Sequence, residues 1–440
     1  MTVSPSIAVI GAGYVGLIQA VGLAKQEHNV LCIDVSQERV GQLQKGVPPI
    51  YEEGLEELLG EVIAAGQISF SLDIKAASDC QTFFVAVGTP TDDKTGNADL
   101  SYLYAAIDDI SKVAREDAVL VVKSTVPIGT CERLQIRLDE LVPEKKLSVV
   151  SNPEFLREGR AIQDFFHPER VVLGGRDADA LQKVRDIYSA FDKANVPFLV
   201  SDWFSSETIK YAANAFLAMK VTFINEIANL TQTVGGDIET VSKGIGLDSR
   251  IGDQFLSVGP GYGGSCFPKD TLALATMARR HGVQQQILEA VIAVNDNRRY
   301  MILRRVEDIL DQNLRGRRVA VLGIAFKANT DDVRDSSAVG IIHTLLDEGM
   351  NVRAYDPMAK YEINDHNYEQ VASVEDAMEG ADLTLIVTEW DEFKNYDYNS
   401  QLSSVQQAKI LDLRLSLKSR QAELAGWDLN FIGINSEAHS

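Results

Sequence analysis

The segment GPGYGGSCFPKD, residues 259–270, combines the residue types that nucleophilic catalysis uses. Its glycines predict a loop whose backbone can wrap around a ligand, and Cys266 stands where a helix is predicted to begin. A helix N-terminus and a nearby cation such as Lys269 stabilise a thiolate, the nucleophilic form of cysteine. The alternative is a buried structural cysteine, the commonest fate of an isolated cysteine. The glycine-rich setting, with Asp270 beside it, favours the catalytic interpretation.

Two further pairs of polar residues are spaced by four positions, and the pair on the predicted long helix, Lys210 and Asn214, would share one face of it. Lys210 and Asn214 could hold a developing oxyanion, and a solvent-exposed lysine beside an asparagine is the alternative. Glu154 and Glu158, in SNPEFLREG, offer a base, and two surface glutamates are the alternative. Thr125, in KSTVP, ends a predicted strand, where α/β sheets present ligand-binding groups, unless it only forms a turn.

Gly11, Gly13 and Gly16 form a GxGxxG motif between a predicted strand and a predicted helix. The first glycine permits a tight turn, the second lets a pyrophosphate approach, and the third lets the helix pack closely on the strand. Asp34, eighteen residues after Gly16, would bind the ribose hydroxyls and repel a 2′-phosphate, which favours NAD over NADP. Arg39 nearby argues the other way, because an arginine accommodates that phosphate. The motif by itself leaves a flavin open.

Short apolar runs alternate with helical patterns, which predicts mainly parallel sheets covered on both faces. The predicted strands of the first half are Ser6–Ile10, Val30–Val35, Thr82–Val87, Ala118–Lys123, Ser148–Ser151, Arg170–Leu173 and Val196–Val200. One long helix is predicted for residues 204–233, and further helices follow to about residue 310. The predicted strands of the second half are Arg318–Leu322, Val352–Tyr355, Leu383–Val387, Lys409–Leu413 and Asn430–Ile434.

The predicted fold class is therefore α/β, with two Rossmann-like doubly wound lobes joined by a central helical domain that contains one long helix. The predicted domains are residues 1–203, residues 204–312 with the lysine and cysteine, and residues 313–440. The two lobes begin with similar segments, IAVIGAGYVG and VAVLGIAFKA, and the next strand of each ends in aspartate, at Asp34 and Asp356. In the second lobe Ala325 and Lys327 replace the later glycines, so Lys327 suits a different phosphorylated ligand.

The composition is that of a globular protein with a strongly acidic surface. The 440 residues include 42 basic and 63 acidic ones, for a net charge of −21, which argues against nucleic acid and anionic membranes as partners. An anionic ligand would need a local cluster of cations and helix N-termini. The four cysteines have neither disulfide-framework nor metal-like spacing, so we predict no metal and a reducing compartment. No apolar run approaches the ~20 residues of a membrane span, and we predict a cytoplasmic protein.

Seven segments of the chain together resemble the UDP-glucose 6-dehydrogenase family, within the wider group of UDP-glucose and GDP-mannose dehydrogenases. They are IAVIGAGYVGL, FVAVGTPTDDKTGNADLSYL, VVKSTVPIGT, SNPEFLREG, TIKYAANAFLAMKVTFINEIANL, SRIGDQFLSVGPGYGGSCFPKD and VLGIAFKANTDDVRDSS. The segment CFPKD is typical of the UDP-glucose members, whereas GDP-mannose members tend to have leucine before the proline. The resemblance implies NAD-dependent oxidation of UDP-glucose to UDP-glucuronate, a step of nucleotide-sugar metabolism that serves polysaccharide synthesis.

The resemblance also implies a four-electron oxidation through a covalent intermediate. A hydride passes from C6 of the sugar to a first NAD while a base near Lys210 takes the hydroxyl proton. The Cys266 thiolate attacks the aldehyde to give a thiohemiacetal, whose oxidation by a second NAD gives a thioester, and water releases the acid. The implied catalytic residues are Lys210 and Asn214 at the oxyanion, Asp270 and Thr125 at the water, Glu154 as general acid/base, and Cys266.

Further site residues follow from the same resemblance. The implied cofactor contacts are Gly11, Gly13, Tyr14, Val15, Gly16, Asp34, Arg39, Thr89, Thr125, Glu158 and Arg334. The implied substrate contacts are Glu154, Phe155, Leu156, Lys210, Asn214, Arg250, Phe255, Tyr262, Gly263, Lys327 and Arg414, with Arg250 reaching the site from a partner subunit. Residues 313–440 would bind the UDP-sugar. The long helix would build a homodimer through its apolar face, which includes Phe216, Met219 and Phe223.

Three alternative functions remain open at this point. The same chemistry could act on GDP-mannose or a UDP-N-acetylhexosamine. A two-electron β-hydroxyacid dehydrogenase shares the arrangement of lobes and helix but needs no cysteine, so Cys266 argues against it. A catalytically inactive nucleotide-binding regulator would be expected to lack at least one of Cys266, Lys210 and Asp270, and all three are present.

Overall fold

The structure, a computed structural model, describes residues 6–90 and 98–434. Residues 91–97, within the segment FVAVGTPTDDKTGNADLSYL, and the two chain ends lie outside the described residues. The chain divides into two compact units, Met1–Ala213 with Thr276–His281 and Asn214–Ala275 with Gly282–Ser440.

The first unit is built on an eight-stranded sheet. Its strands are β1 Ile7–Ile10, β2 Val30–Ile33, β3 Ile68–Ser71, β4 Thr82–Val85, β5 Val119–Val122, β6 Ser148–Ser151, β7 Val171–Gly174 and β8 Phe198–Ser201. They lie in the order β3-β2-β1-β4-β5-β6-β7-β8, and neighbours are parallel except β6 with β7. Side chains alternate between the faces of a strand, and in β1 Ile7 and Val9 pack into one hydrophobic cluster while Ala8 and Ile10 pack into another. Both faces of this sheet are therefore covered, as the continuous apolar runs predicted.

The helices of the first unit connect these strands. They are α1 Tyr14–Lys25, α2 Gln37–Leu43, α3 Leu55–Ala64, α4 Ser101–Val113, α5 Thr130–Leu141, α6 Ala161–Phe166, α7 Ala178–Ile187 and α8 Ser189–Lys193. Helix α1 follows β1 after a three-residue turn and is buried from Gly16 to Ala24, because it is apolar around its whole circumference.

Four further helices occupy the middle of the chain. They are α9 Trp203–Thr233, α10 Ile238–Gly246, α11 Phe267–Arg280 and α12 Gln286–Ile309. The predicted long helix, residues 204–233, is confirmed as α9 with one residue added at its start. The boundary between the two compact units falls inside α9, between Ala213 and Asn214.

The second unit contains a six-stranded, wholly parallel sheet. Its strands are β9 Arg318–Leu322, β10 Asn351–Tyr355, β11 Tyr368–Gln370, β12 Leu383–Ile386, β13 Lys409–Asp412 and β14 Asp428–Phe431, in the order β11-β10-β9-β12-β13-β14. Its short helices are α13 Ser337–Asp347, α14 Val374–Met378 and α15 Asp391–Asn395. Ile224 of α9 and Ile302 of α12 belong to the same hydrophobic cluster as Val319 and Val321 of β9. Central helices and sheet thus share one core here, and the three-domain division stays a prediction.

The predicted fold class is confirmed: two doubly wound parallel sheets and a long central helix. Two strands were missed, β3 and β11, and both lie at an edge of their sheet with partly exposed side chains, so neither shows a continuous apolar run. The last strand was predicted as Asn430–Ile434 and lies at Asp428–Phe431, because its polar residues Asp428 and Asn430 are paired within the sheet.

Within residues 6–90 and 98–434, no helix combines the length and the apolar character needed to cross a membrane. The same residues contain no cluster of three or more histidine, cysteine, aspartate or glutamate side chains suited to a metal ion.

Candidate active site

The GxGxxG turn of the first unit needs glycine for steric reasons at two of its three positions. Gly11 has a φ of +97°, and a Cβ there would lie 2.7 Å from the carbonyl oxygen of Ala86. A Cβ on Gly16 would clash with the carbonyl of Gly11. At Gly13, by contrast, an added Cβ would meet nothing within 4 Å. The turn has no room for a side chain at Gly11 and Gly16. At Gly13 it is open, so a pyrophosphate could approach the backbone there.

Helix α1 presents its N-terminus at this turn. Its N-cap is Gly13, which supplies no side-chain cap, and its first turn has no acidic residue. The first backbone N–H groups of a helix, here those of Tyr14 and Val15, have no carbonyl acceptor one turn earlier. They can therefore donate hydrogen bonds to a bound anion. The hydroxyl of Tyr14 donates to Glu52, and burial together with the charges of Glu52 and Glu158 raises the pKa of that hydroxyl above its ordinary value. Tyr14 therefore stays neutral beside the turn.

Asp34, directly after β2, is buried and makes contacts on both carboxylate oxygens. Its Oδ2 accepts hydrogen bonds from the backbone N–H of Ala12 at 2.7 Å and from Nη1 of Arg39 at 2.9 Å, and its Oδ1 accepts from the N–H of Ser36 at 2.9 Å. Arg39 also lines an open cavity of about 610 Å³ bordered by the Val47–Tyr51 segment. Because the Arg39 guanidinium is paired with Asp34, its charge is partly neutralised, which fits a ribose with free hydroxyls better than a 2′-phosphate.

The loops after β4 and β5 meet through Thr89, whose hydroxyl donates to the backbone oxygen of Thr125 at 2.9 Å. Both threonines therefore lie at the carboxyl edge of the first sheet, on the neighbouring strands β4 and β5. This is the edge at which doubly wound sheets bind ligands.

Glu154 and Lys210 form a buried ion pair in the first unit. Oε1 of Glu154 lies 3.0 Å from Nζ of Lys210, and Oε2 accepts from the N–H of Leu156 at 2.6 Å. The Lys210 ammonium also lies 5.4 Å from the ring centroid of Phe155. Burial by itself would raise the pKa of Glu154, but the charge and hydrogen bond of Lys210 outweigh it and hold that pKa below its ordinary value. Glu154 is therefore a carboxylate at neutral pH.

Lys123, at the carboxyl end of β5, belongs to the same buried cluster and was missed from the sequence. Its Nζ donates to Oδ1 of Asn152 at 3.2 Å, and the Tyr188 hydroxyl donates to the same oxygen at 2.9 Å. Burial, opposed by the charge of Glu154 and assisted by the charge of Lys210, lowers the pKa of Lys123 to about 8. A lysine that closes a buried strand, as in VVKS, was the available signal.

In the second unit, Asp270 is buried and connects two other polar side chains. Its Oδ2 accepts from Nδ2 of Asn214 at 2.6 Å, and its Oδ1 accepts from Nζ of Lys269 at 2.9 Å. Its backbone N–H donates to the carbonyl of Cys266 at 2.8 Å in the first turn of α11. The structure thus brings together Asn214 and the CFPKD segment, which lie far apart in the sequence. Asn214 itself follows Lys210 by one turn of α9, as the spacing predicted.

Cys266 directly precedes α11 and is partly exposed, whereas Cys32, Cys80 and Cys131 are buried. Its Sγ lies 3.6 Å from the hydroxyl oxygen of Ser265. Burial raises the pKa of Cys32 to about 12 and that of Cys80 to about 11, so these two stay protonated. Among the four cysteines, Cys266 has the exposure that a nucleophile needs.

The glycine-rich loop before Cys266 is packed against the loop after β9. A Cβ on Gly263 would clash with the backbone oxygen of Asp335, and the N–H of Gly264 donates to the backbone oxygen of Arg334 at 3.1 Å. Asn295 of α12, another residue missed from the sequence, holds Tyr262 by accepting from its N–H at 2.9 Å and donating to its carbonyl at 3.1 Å.

Aromatic side chains and an arginine complete this part of the second unit. The ring of Phe267 lies 6.0 Å from that of Phe255 and 6.2 Å from that of Tyr262, measured between centroids. Arg414, after β13, donates through Nε to the carbonyl of Val387 at 2.9 Å, and a Cβ on Gly259 would lie 2.9 Å from its Nη1.

The remaining cationic residues lie nearer the surface. Lys327 places its Nζ 5.2 Å from the ring centroid of Phe326, which itself packs against Gly264. Arg334 pairs with Asp332 of its own loop at 2.6 Å. Arg250 is exposed and pairs with Asp248 at 2.6 Å.

The second lobe differs from the first at the corresponding turn. Gly323 has a φ of +102°, and Oδ2 of Asp356 accepts from the N–H groups of Ile324 and Ala325, as Asp34 does with Ala12. The next helix, α13, begins only at Ser337, so no helix N-terminus follows this turn directly. The second turn therefore lacks the helix dipole and the N–H donors that make the first turn suited to an anion.

Three domain models of the UDP-glucose/GDP-mannose dehydrogenase family match the chain: the NAD binding domain at residues 5–192, the central domain at 204–297 and the UDP binding domain at 320–419. The UDP-glucose 6-dehydrogenase of Rhizobium meliloti is 43% identical over 434 residues, covering 97% of this chain and 99% of the relative.

Two solved structures have the same fold over nearly the full length. A UDP-glucose dehydrogenase from Pyrobaculum islandicum has a TM-score of 0.88 at 38% identity, covering 98% of this chain and 97% of its own. A UDP-D-ManNAc dehydrogenase from Pyrococcus horikoshii has a TM-score of 0.86 at 25% identity, covering 97% of this chain and 99% of its own.

Proposed function

The chain belongs to the UDP-glucose/GDP-mannose dehydrogenase family, and from this premise we propose that it oxidises UDP-glucose to UDP-glucuronate with NAD as the hydride acceptor. Identity to relatives named for UDP-glucose reaches 43% and 38%, against 25% for the relative named for UDP-D-ManNAc. These values support UDP-glucose over a UDP-N-acetylhexosamine as the substrate.

The main support for a four-electron mechanism is that Cys266 is partly exposed and directly precedes α11. A thiolate at this position attacks the C6 aldehyde, and the resulting thiohemiacetal has a hydrogen on carbon that can leave as a hydride to give a thioester. Water then cleaves the C–S bond, releasing the carboxylate and the thiol. NAD, when bound, accepts one hydride in each of the two oxidations. The partly exposed Cys266 at the start of α11 supports this role, because its three buried counterparts are inert.

Lys210 and Asn214 supply donors for the oxyanion of the adduct, as one cation and one amide on the same face of α9. The 2.6 Å hydrogen bond from Asn214 to Asp270 supports this role, because it fixes which side of the amide stays available. Glu154, a carboxylate at neutral pH, accepts the proton of the C6 hydroxyl. Asp270 and Thr125 position the hydrolytic water.

The cofactor contacts stay those that the resemblance implies. The open Gly13 position and the uncapped start of α1 support pyrophosphate binding by Gly11, Gly13, Tyr14, Val15 and Gly16. Asp34 and Arg39 would hold the adenosine ribose, and Thr89, Thr125, Glu158 and Arg334 would complete the site. The residues present fit NAD at this turn.

The substrate contacts likewise stay a proposal. The packing of the Gly259–Cys266 loop against Phe326, Arg334 and Arg414 supports a nucleotide-sugar site built by Phe255, Tyr262, Gly263, Lys327 and Arg414. Glu154, Phe155, Leu156, Lys210 and Asn214 would contact the sugar. The exposed position of Arg250 supports its delivery to a partner subunit.

We propose that the protein is a homodimer built on α9, in a reducing cytoplasmic compartment. Phe216, Phe223 and Leu230 recur every seven residues along α9, and their side chains are 58%, 49% and 61% exposed. Met219, the other residue of the predicted face, packs instead beside Ala218 and Tyr262. An apolar stripe of this kind is typical of an unpartnered helix interface. The four free cysteines support the compartment.

The stoichiometry of NADH formation tests the function. With limiting UDP-glucose and excess NAD, we expect two NADH per sugar by absorbance and UDP-glucuronate as the product. One NADH per sugar would contradict the thioester mechanism, and no NADH would favour the inactive regulator. Cys266→Ala should form no acid while it still binds NAD and UDP-glucose in a fluorescence titration, which separates loss of chemistry from loss of folding. GDP-mannose and UDP-N-acetylglucosamine serve as competing substrates.

A further inference from the structure

A cationic cleft lies in the second unit, between α9, α12, the start of β13 and the length of β14. Its volume is about 970 Å³, within the size range of sites that bind small molecules. Four basic side chains line it: Arg298, Arg304, Arg305 and Lys409. Three carboxylates, Asp308, Asp311 and Asp428, also line it. The cleft lies at the amino end of β13 and along the edge strand β14, and Arg414 is not among its lining residues.

The local charge of the cleft is opposite to that of the whole chain. Its lining has four cations against three carboxylates, whereas the chain has 42 basic against 63 acidic residues. A net positive cleft on so acidic a protein attracts an anion locally against the overall field.

Two guanidinium nitrogens of the cleft residues are enclosed without an acceptor. Among residues 6–90 and 98–434, no hydrogen-bond acceptor lies within reach of Nη2 of Arg298 or Nε of Arg305. Burial lowers the pKa of Arg298 to about 10, so this side chain remains a cation at neutral pH. Buried polar groups in proteins normally have partners, and a buried cation favours an anion beside it. Guanidinium groups pair especially well with phosphate oxygens.

The other lining groups indicate what the anion would carry. Asp308 and Asp428 offer carboxylate oxygens that accept from hydroxyl groups, and Gln232, Thr233 and Asn430 offer amide and hydroxyl groups. Carboxylates would repel a bare multivalent anion but would bind the hydroxyls of a sugar. We propose that this cleft binds a sugar phosphate, with the phosphate at Arg298 and Arg305 and the sugar hydroxyls at the acidic side.

Arg298 also connects the cleft to the loop that bears Cys266. Its Nε donates to the carbonyl of Gly259 at 3.2 Å, and its Nη1 donates to Oδ1 of Asn229 at 2.7 Å. Oδ1 of Asn225 in turn accepts from the N–H of Gly259 at 2.9 Å. Substitution of Arg298 would disturb this loop directly, so Arg305 is the informative position for a variant.

Calorimetric titration of the full chain with glucose 1-phosphate tests the site. NADH and UDP-glucuronate are kept in excess, so that the nucleotide sites of the proposed function are filled. We expect one glucose 1-phosphate per chain in the wild type, and a dissociation constant at least about tenfold higher in Arg305→Gln, because a charged hydrogen bond to phosphate is lost. Arg299→Gln, on the same helix but outside the cleft, is the matched control and should bind like the wild type.

Three outcomes would overturn the site. No binding to the wild type, or equal binding by Arg305→Gln, removes the cleft as the ligand site. If inorganic phosphate binds as tightly as glucose 1-phosphate, the cleft does not recognise the sugar and the proposed sugar subsite is wrong. If Arg305→Gln changes the molar mass in light scattering, the guanidinium serves contact with a second copy of the chain rather than a ligand. None of these measurements uses turnover, so they are independent of the proposed oxidation.

Discussion

At the scale of single residues, the candidate site depends on charges that are buried beside one another. Lys210 and Glu154 form a pair at 3.0 Å, and Lys123 is a second buried cation of the same cluster. The pair lowers the pKa of Glu154, so a carboxylate is ready to accept a proton at neutral pH. Lys123 contributes to this effect through its charge alone, since its hydrogen bond goes to Asn152.

We expect Lys123→Met to remove a pH-dependent destabilisation of the fold. Burial lowers the pKa of Lys123 from 10.5 to about 8, so between these pH values the unfolded chain binds the proton more tightly than the folded one. Stability therefore rises with pH through this window, and the burial penalty is fully present below pH 8. Urea unfolding at pH 7 should show the variant more stable by up to about 3 kcal/mol, from about 1.4 kcal/mol per pKa unit, less the lost hydrogen bond.

The advantage of Lys123→Met should shrink when the same unfolding is repeated at pH 9.5. Lys45→Met, a change at an exposed lysine of the same unit, is the control and should show little dependence on pH. A difference between variant and wild type that stays constant from pH 7 to 9.5 would mean that Lys123 does not titrate in this window.

At the scale of elements, the start of α1 separates the steric and the binding roles of glycine. Gly16 and Gly11 are required by the backbone itself, because a side chain at either would meet a carbonyl group. Gly13 has room for a side chain, with a φ of −73° that any residue can adopt. The fold therefore does not require glycine at this position, which supports the proposed pyrophosphate contact.

We expect Gly13→Ala to weaken NAD binding without loss of stability. The added methyl group occupies the space through which the pyrophosphate approaches α1, so the KM for NAD should rise about tenfold or more. The melting temperature should stay within about a degree of the wild type. Gly16→Ala is the matched comparison and should lower the melting temperature clearly, since its Cβ clashes with Gly11. Normal NAD affinity in Gly13→Ala would argue against pyrophosphate binding at this turn.

At the scale of the whole molecule, the exposed stripe on α9 is the strongest sign of assembly. Three large apolar side chains, Phe216, Phe223 and Leu230, stay exposed at seven-residue spacing along this one helix. The net charge of −21 opposes self-association, so the proposed dimer would depend on a local apolar surface rather than on charge.

If the proposed dimer forms through this stripe, we expect Phe223→Glu to be a monomer in size-exclusion chromatography with light scattering. A carboxylate placed in an apolar interface would be desolvated without a partner, which opposes association. Tyr102→Glu, at an equally exposed aromatic residue of α4, should leave the dimer intact. A Phe223→Glu protein that remains dimeric would exclude this face of α9 as the interface.

Much of this architecture follows from the sequence, because local rules govern it. The continuous apolar runs predicted which segments are buried strands. The spacing of Gly11, Gly13 and Gly16 predicted the nucleotide-binding turn. Even the long helix was predicted to within one residue, since no proline or glycine interrupts it. The edge strands β3 and β11 were not predicted, because their side chains are partly exposed and form no continuous apolar run.

Other features depend on residues that only folding brings together. Lys123 and Asn152, Asn295 and Tyr262, and Arg298 and Gly259 are separated by 29, 33 and 39 positions, and no local pattern connects them. Desolvation and charge coupling depend on neighbours from other strands and helices, so the sequence could nominate Glu154 and Lys210 but could not give their protonation states. The sequence determined the fold class and the types of residue available for chemistry. The tertiary structure alone decided which of them are buried, paired and charged, because those properties arise from packing.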